Sequence, residues 1–237
     1  MCTVSYIPLP GNGFILTSTR DEKTTRKTAL PPDKHDINGN HVYFPQDTEA
    51  FGTWIASSAE EYSLCLLNGG FENHVSNPPY RRSRGMLMLD FFNYGNVQEF
   101  SHNYNFDGIE PFTLLILGYS RQRFDEIRWD GSKLYQTKID HRAPGIWLSF
   151  TLYSDDAIRM RQEWFRQWLL KDPELSSESA IGFHKTAGSD DKSNDILMNR
   201  GNIVCTVSIT SIYRSRLRHE MHYEDIINKM RVIQNIS

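Results

Sequence analysis

The sequence predicts one α+β domain over residues 1–237, built from layered sheet and helix. Three observations carry that expectation. Aromatic residues make up 12% of the chain and cluster with β-branched residues in short runs, as half-buried strands require. One segment, Asp155 to Lys171, repeats its apolar residues at helical spacing. No internal repeat, low-complexity tract or linker composition divides the chain.

Composition narrows the function classes. A chain of 237 residues can bury a core without disulfide staples. With 39% hydrophobic and 23% charged residues it is neither disordered nor a coiled coil. A net charge of -3 argues against nucleic-acid binding through an overall basic surface. No apolar run reaches the roughly 18 residues that a spanning helix needs. The start, MCTVSYIPLP, lacks the charged and apolar regions of a secretory signal. Three cysteines without a CxxC pair exclude a disulfide scaffold and a compact zinc knuckle, so a reducing cytoplasm is the expected location.

The expected strands are Cys2 to Ile7, Phe14 to Ser18, Thr53 to Ala56, Ser63 to Leu67, Phe112 to Leu117, Glu126 to Trp129, Leu134 to Lys138 and Ile203 to Tyr213. Gly11-Asn12-Gly13 marks a hairpin between the first two, and Trp129-Asp130-Gly131-Ser132 marks another. The helix from Asp155 has Ser154 as N-cap and two aspartates at the positive end of its dipole. Its stripe is Ile158, Arg161, Phe165, Trp168 and Leu169, and Asp172-Pro173 ends it. Weaker helices are expected near Met86 to Phe92 and Glu224 to Ile233. Thr24 to Asn40 and Lys185 to Asn194 read as polar surface loops able to act as flaps.

The chemistry suggested by the sequence starts at Cys2. Removal of Met1 leaves one residue holding a free α-amine and a thiol. The amine, with a pKa of about 8, can take the thiol proton, and the thiolate is then the nucleophile. If the first hairpin sets Tyr6 opposite Phe14, Cys2 falls opposite Ser18, and Arg20 and Asp21 emerge just past that sheet end. Asp21 would orient the amine. Arg20 would lower the thiol pKa and bind a carboxyl-bearing substrate. The competing reading makes Thr19-Arg20-Asp21-Glu22 a solvated, turn-forming charge run.

These residues resemble a known family. MCTV, Ser18-Thr19-Arg20-Asp21-Glu22, Gly52-Thr53-Trp54-Ile55, Leu67-Asn68-Gly69, Ser83-Arg84-Gly85 and Cys205-Thr206-Val207-Ser208-Ile209 follow in order the motifs of the NRDE, or transport and Golgi organisation protein 2, family. The resemblance implies an N-terminal-nucleophile (Ntn) hydrolase-like four-layer αββα sandwich, and more distantly the cysteine amidases that open penicillin V and conjugated bile salts. It implies Cys2 as nucleophile, Arg20 and Asp21 as the flanking charged pair, Asn68 as oxyanion donor and Arg84 as substrate contact or helix cap. Thr19 departs from the family's asparagine and loses an amide donor at a substrate-contact position. The implied activity is hydrolysis of a non-peptide amide or related acyl bond. The alternative is a non-catalytic carrier of a hydrophobic ligand such as haem, using the same cleft.

The remaining constellations are read more simply. His219-Glu220-Met221-His222 places two imidazoles one helical turn apart but misses the zinc-protease spacing, so no metal is expected. Arg81, Arg82 and Arg84 read as a solvated basic loop or an anion contact. Cys65, Cys205, Trp164, Phe165 and Trp168 read as core. No Gly-rich phosphate loop is present, and no cofactor is expected. The expected partner is a small amide or a hydrophobic ligand. The sequence leaves substrate and oligomeric state open.

Overall fold

The computed structural model describes residues 3–120, 122–171, 173–189 and 191–237. Its strands, in chain order, are β1 (Thr3–Leu9), β2 (Gly13–Lys23), β3 (Leu30–Ile37), β4 (Asn40–Gln46), β5 (Ile55–Ser58), β6 (Tyr62–Asn68), β7 (Phe112–Gly118), β8 (Arg123–Trp129), β9 (Leu134–Ile139), β10 (Gly145–Leu148), β11 (Asn199–Arg200), β12 (Val204–Arg214), β13 (His219–Asp225) and β14 (Met230–Asn235). Its helices are α1 (Arg84–Asp90), α2 (Val97–Asn103), α3 (Asp155–Leu170) and α4 (Ser177–Thr186). They gather into two compact units, one from residues up to Lys27 with Arg142–Asn235, the other from Thr28–His141 with Ile236–Ser237.

The first unit is an antiparallel sheet ordered β10-β1-β2-β12-β13-β14, with β11 on β12. Strand alternation gives it two faces. On one, Ile7 and Ile15 pack against Phe165 of α3 and Ala180 and Phe183 of α4. Thr3, Ser5, Thr17, Thr19 and Asp21 share this helix-covered face by their spacing along β1 and β2. Helix α3 starts where its cap predicts: the Ser154 hydroxyl accepts from Ala157 N at 3.3 Å.

The second unit is a seven-stranded antiparallel meander, β3 to β9 in order. Helices α1 and α2 interrupt it between β6 and β7. Phe91 sits edge-on to Tyr62 of β6 at 5.0 Å, and Phe100 packs on Phe106 at 5.5 Å. Ser83 caps α1, its hydroxyl accepting from Met86 N at 3.3 Å. The turn at Asp130-Gly131 forms as expected: Asp130 Oδ1 accepts from Ser132 N and Lys133 N, and Gly131 takes a φ of 103°.

Four expectations change. The first hairpin pairs Val4 with Ser18 and Tyr6 with Leu16, two residues from the expected register, because β1 runs on through Pro8 and Leu9 into a short 3₁₀ turn. Thr24 to Asn40 is not a loop throughout: Pro31 and Pro32 sit in β3, at the edge of its sheet, where a missing N–H breaks no ladder. Glu224 to Ile233 is no helix; it spans the β13–β14 hairpin. His219 and His222 therefore lie on a strand, three residues apart and on opposite faces, not one helical turn apart.

Candidate functional site

Thr19 ties the start of the chain to β2. The backbone N–H of Thr3, the peptide nitrogen that joins it to Cys2, donates to the Thr19 hydroxyl at 3.2 Å. The departure from asparagine at this position thus leaves an oxygen that still accepts. Cys2 itself lies outside the described residues.

Arg20 and Asp21 are neither a solvated run nor residues past the sheet end. Both are 5% exposed and lie inside β2. As strand neighbours they point to opposite faces. Asp21 lies on the helix-covered face, where its Oδ1 accepts from the Thr206 hydroxyl at 2.5 Å and its Oδ2 from the Tyr153 hydroxyl. Arg20, on the other face, reaches Glu22 at 3.7 Å. The expected pair is brought close along the chain but divided between two surfaces.

Arg161 completes the arrangement on the Asp21 side. Its side chain is wholly buried, with the guanidinium 3.6 Å from the centre of the Tyr153 ring. Nη1 donates to Thr3 Oγ1 at 2.7 Å, Nε to Asn194 O at 3.1 Å and Nη2 to Asp195 O. One cation thereby links the first strand, a helix and the 188–195 segment, so that polar segment is fastened at Asn194 and Asp195. A buried charge is tolerated here because oxygens and a π face receive its donors. Beside it, His184 is fully buried with Nε2 2.8 Å from Ser5 Oγ. Burial, with a smaller contribution from Arg161, pushes its pKa down to about 3.

Asn68 and Arg84 belong to the other unit, where they gather around Glu110 and Pro111. Asn68 ends β6 opposite Phe112, and the next residue, Gly69, donates its N–H to Pro111 O at 3.0 Å. Arg84 donates to the same carbonyl at 3.1 Å and pairs with Glu110 at 2.9 Å. Glu110 also meets His74 Nε2 at 3.2 Å. Ser83, not Arg84, supplies the helix cap. The expected basic cluster is dispersed: Arg82 bonds Asp90, and Arg81 bonds the carbonyls of Asn105 and Asp107.

Sequence reading missed Tyr153, Arg161 as a polar partner, Thr206's bond to Asp21, His184 and Glu110. Arg161 did carry a signal, because an arginine inside the apolar stripe of α3 has to be satisfied below the helix. The others belong to contacts between residues far apart in sequence; Thr206 and Asp21 are one such pair, separated by 185 positions.

The profile of the family described as Transport and Golgi organisation 2 matches residues 1–198. The chain belongs to that family. No curated protein matches it in sequence. Among solved structures, a Caenorhabditis elegans ortholog of N-acylethanolamine-hydrolyzing acid amidase superposes with a TM-score of 0.60 at 14% identity, over 89% of this chain and 92% of the other. Two variants of conjugated bile acid hydrolase from Clostridium perfringens give TM-scores of 0.57 and 0.61 at 9% and 10% identity, each over 99% of this chain and 92% of the other. At such identities the likeness shows the fold, which is α+β and Ntn-hydrolase-like, as the motif resemblance implied. No helix among the described residues is long and apolar enough to cross a membrane.

Proposed function

We propose that this family member hydrolyses a non-peptide amide or related acyl bond with Cys2 as nucleophile. The α-amine of Cys2, free once Met1 is removed, takes the thiol proton. The thiolate attacks the acyl carbon, the C–N bond breaks, and the ammonium returns its proton to the leaving amine. Water, deprotonated by the same amine, then opens the thioester and releases a carboxylate and the thiol. Asp21 steadies the amine, Arg20 favours the thiolate, and Thr19 holds the peptide nitrogen that follows Cys2.

The observation that carries this reading is the frame around Thr3. Its amide is fixed by Thr19, its hydroxyl by buried Arg161, and Asp21 is held beside them by Tyr153 and Thr206. A nucleophile on the preceding residue would inherit that order, which is the preorganisation that catalysis needs. Two kinds of structural relative with the same fold are named as amide- and conjugate-hydrolysing enzymes, which supports the reaction class.

Intact mass spectrometry after treatment with a thiol-reactive acyl probe tests the reading. Loss of Met1 and a single acyl adduct on Cys2 is the expected outcome, with buried Cys65 and Cys205 unlabelled as internal controls. A chain that retains Met1, or a Cys2 no more reactive than the buried pair, sinks the hydrolase reading. Ligand binding that survives Cys2→Ala with no acyl-enzyme would instead mark a carrier.

A further inference from the structure

A cleft of about 370 Å³ opens between α4 and the β13–β14 ribbon, within the first unit and apart from every residue of the hydrolytic reading. It is within the size range of small-molecule sites. Its two ends differ in charge. At one, Glu178 lies 3.5 Å from His222 Nδ1, and Glu220, outside the lining, backs the same ring 3.0 Å from Nε2. Two carboxylates against one imidazole leave this end negative in either protonation state of His222. At the other, Lys185 and Arg231 both hold Glu224, at 2.9 and 2.8 Å. Two cations against one carboxylate leave that end positive, and the Arg231 side chain, which meets Glu224 through Nε, is 71% exposed. His222 and Glu224 are two residues apart on one strand, so the ends lie about 7 Å from each other.

Between them the walls are apolar and bare. Ile233, opposite His222 in the ladder, is 60% exposed beside Val232. Across from it lies Gly182, in the interior of α4. A glycine there costs about 1 kcal/mol relative to alanine. No steric contact demands it, because among the described residues a Cβ at Gly182 would meet nothing within 4 Å beyond its own helix. The missing side chain widens the cleft and leaves helix backbone open to an occupant.

We propose that this cleft binds a small zwitterion, its ammonium group at Glu178, its carboxylate at Lys185 and Arg231, and a short apolar span over Gly182 and Ile233. A ligand of one charge leaves the opposite end unanswered, and an uncharged one leaves both. The site is independent of the hydrolase reading and stands if that reading fails.

The test is a titration of the full chain with ω-amino acids from 4-aminobutanoate to 8-aminooctanoate, followed by the isoleucine methyl NMR signals. Hexanoate and hexylamine serve as single-charge controls. At least one amino acid of the series is expected to shift the Ile181 and Ile233 methyls, with both controls about fivefold weaker, as the loss of one exposed charge pair allows. Arg231→Gln and Glu178→Gln, both at exposed positions, are each expected to weaken it by a similar factor while leaving the rest of the spectrum unchanged. Gly182→Ala should raise the urea midpoint and weaken the same titration. The proposal is overturned if the whole series leaves those methyls unmoved, if hexanoate or hexylamine matches the best amino acid, or if Gly182→Ala lowers the urea midpoint.

Discussion

His184 shows what a single buried residue does to the pH dependence of the whole chain. Its folded pKa is held near 3, mainly by burial, against about 6.5 in an exposed imidazole. The unfolded state therefore binds more protons between these values, so stability falls as pH drops from about 6.5 toward 3 and is fully present above that window. His219, also pushed down to about 3 by burial and secondarily by Arg214, adds to the same slope. His184→Gln keeps a partner for Ser5 and removes the titration. Urea midpoints of wild type and variant from pH 7 to 5 should converge as pH falls, above the range where carboxylates dominate. Parallel curves would mean that His184 is reached by water in the native state.

At the scale of elements, two glycines explain two of the sequence motifs. Gly52, shortly before β5, lies against Gly85 in the first turn of α1, and a Cβ on Gly52 would sit 2.5 Å from the Gly85 carbonyl carbon. Thr53 N donates to Gly85 O at 3.3 Å, so the backbones touch by design of the contact. Gly52→Ala pushes backbone against backbone, which no rotamer relieves, and is expected to cost about 2 kcal/mol or more in urea unfolding. A change under 0.5 kcal/mol would show that the crossing has slack. The strands with strong apolar runs, such as Phe112–Gly118, were legible because a short continuous run of aliphatic and aromatic residues is what a strand buried along its whole length requires. Leu30–Ile37 was not, since its prolines and charges belong to an edge strand. Met230–Asn235 was not, since its alternation of half-buried and exposed residues covers only six positions and its neighbours His219–Asp225 carry many charges. For the candidate site the sequence supplies a list of candidate residues but not their geometry. A strand that continues to Lys23 sends Arg20 and Asp21 to opposite faces, and local sequence could not set its length.

The whole molecule ties its first strand into the interior of a sheet assembled from both halves of the chain. β1 lies between β10 and β2, and β2 pairs with β12 nearly two hundred residues later. The proposed chemistry would give the N-terminus a second duty beside this structural one, and two changes at the same end divide them. Deleting residues 1–9 uncovers the hydrogen-bonding edges of β2 and β10, removes Ile7 from the α3–α4 core and takes Thr3 from Arg161, leaving a buried cation with one donor unanswered. That chain is expected to lose its near-UV circular dichroism and its cooperative urea transition. A short uncleaved peptide added before Met1 keeps every residue of these contacts in the chain, but it ties the α-amine of Cys2 into a peptide bond, and an amide nitrogen cannot accept the thiol proton. The extended chain should keep the wild-type urea midpoint and lose acyl-probe labelling at Cys2. Equal labelling of the extended and processed chains would show that the base is some other group, and the terminal amine would then have no part in the chemistry.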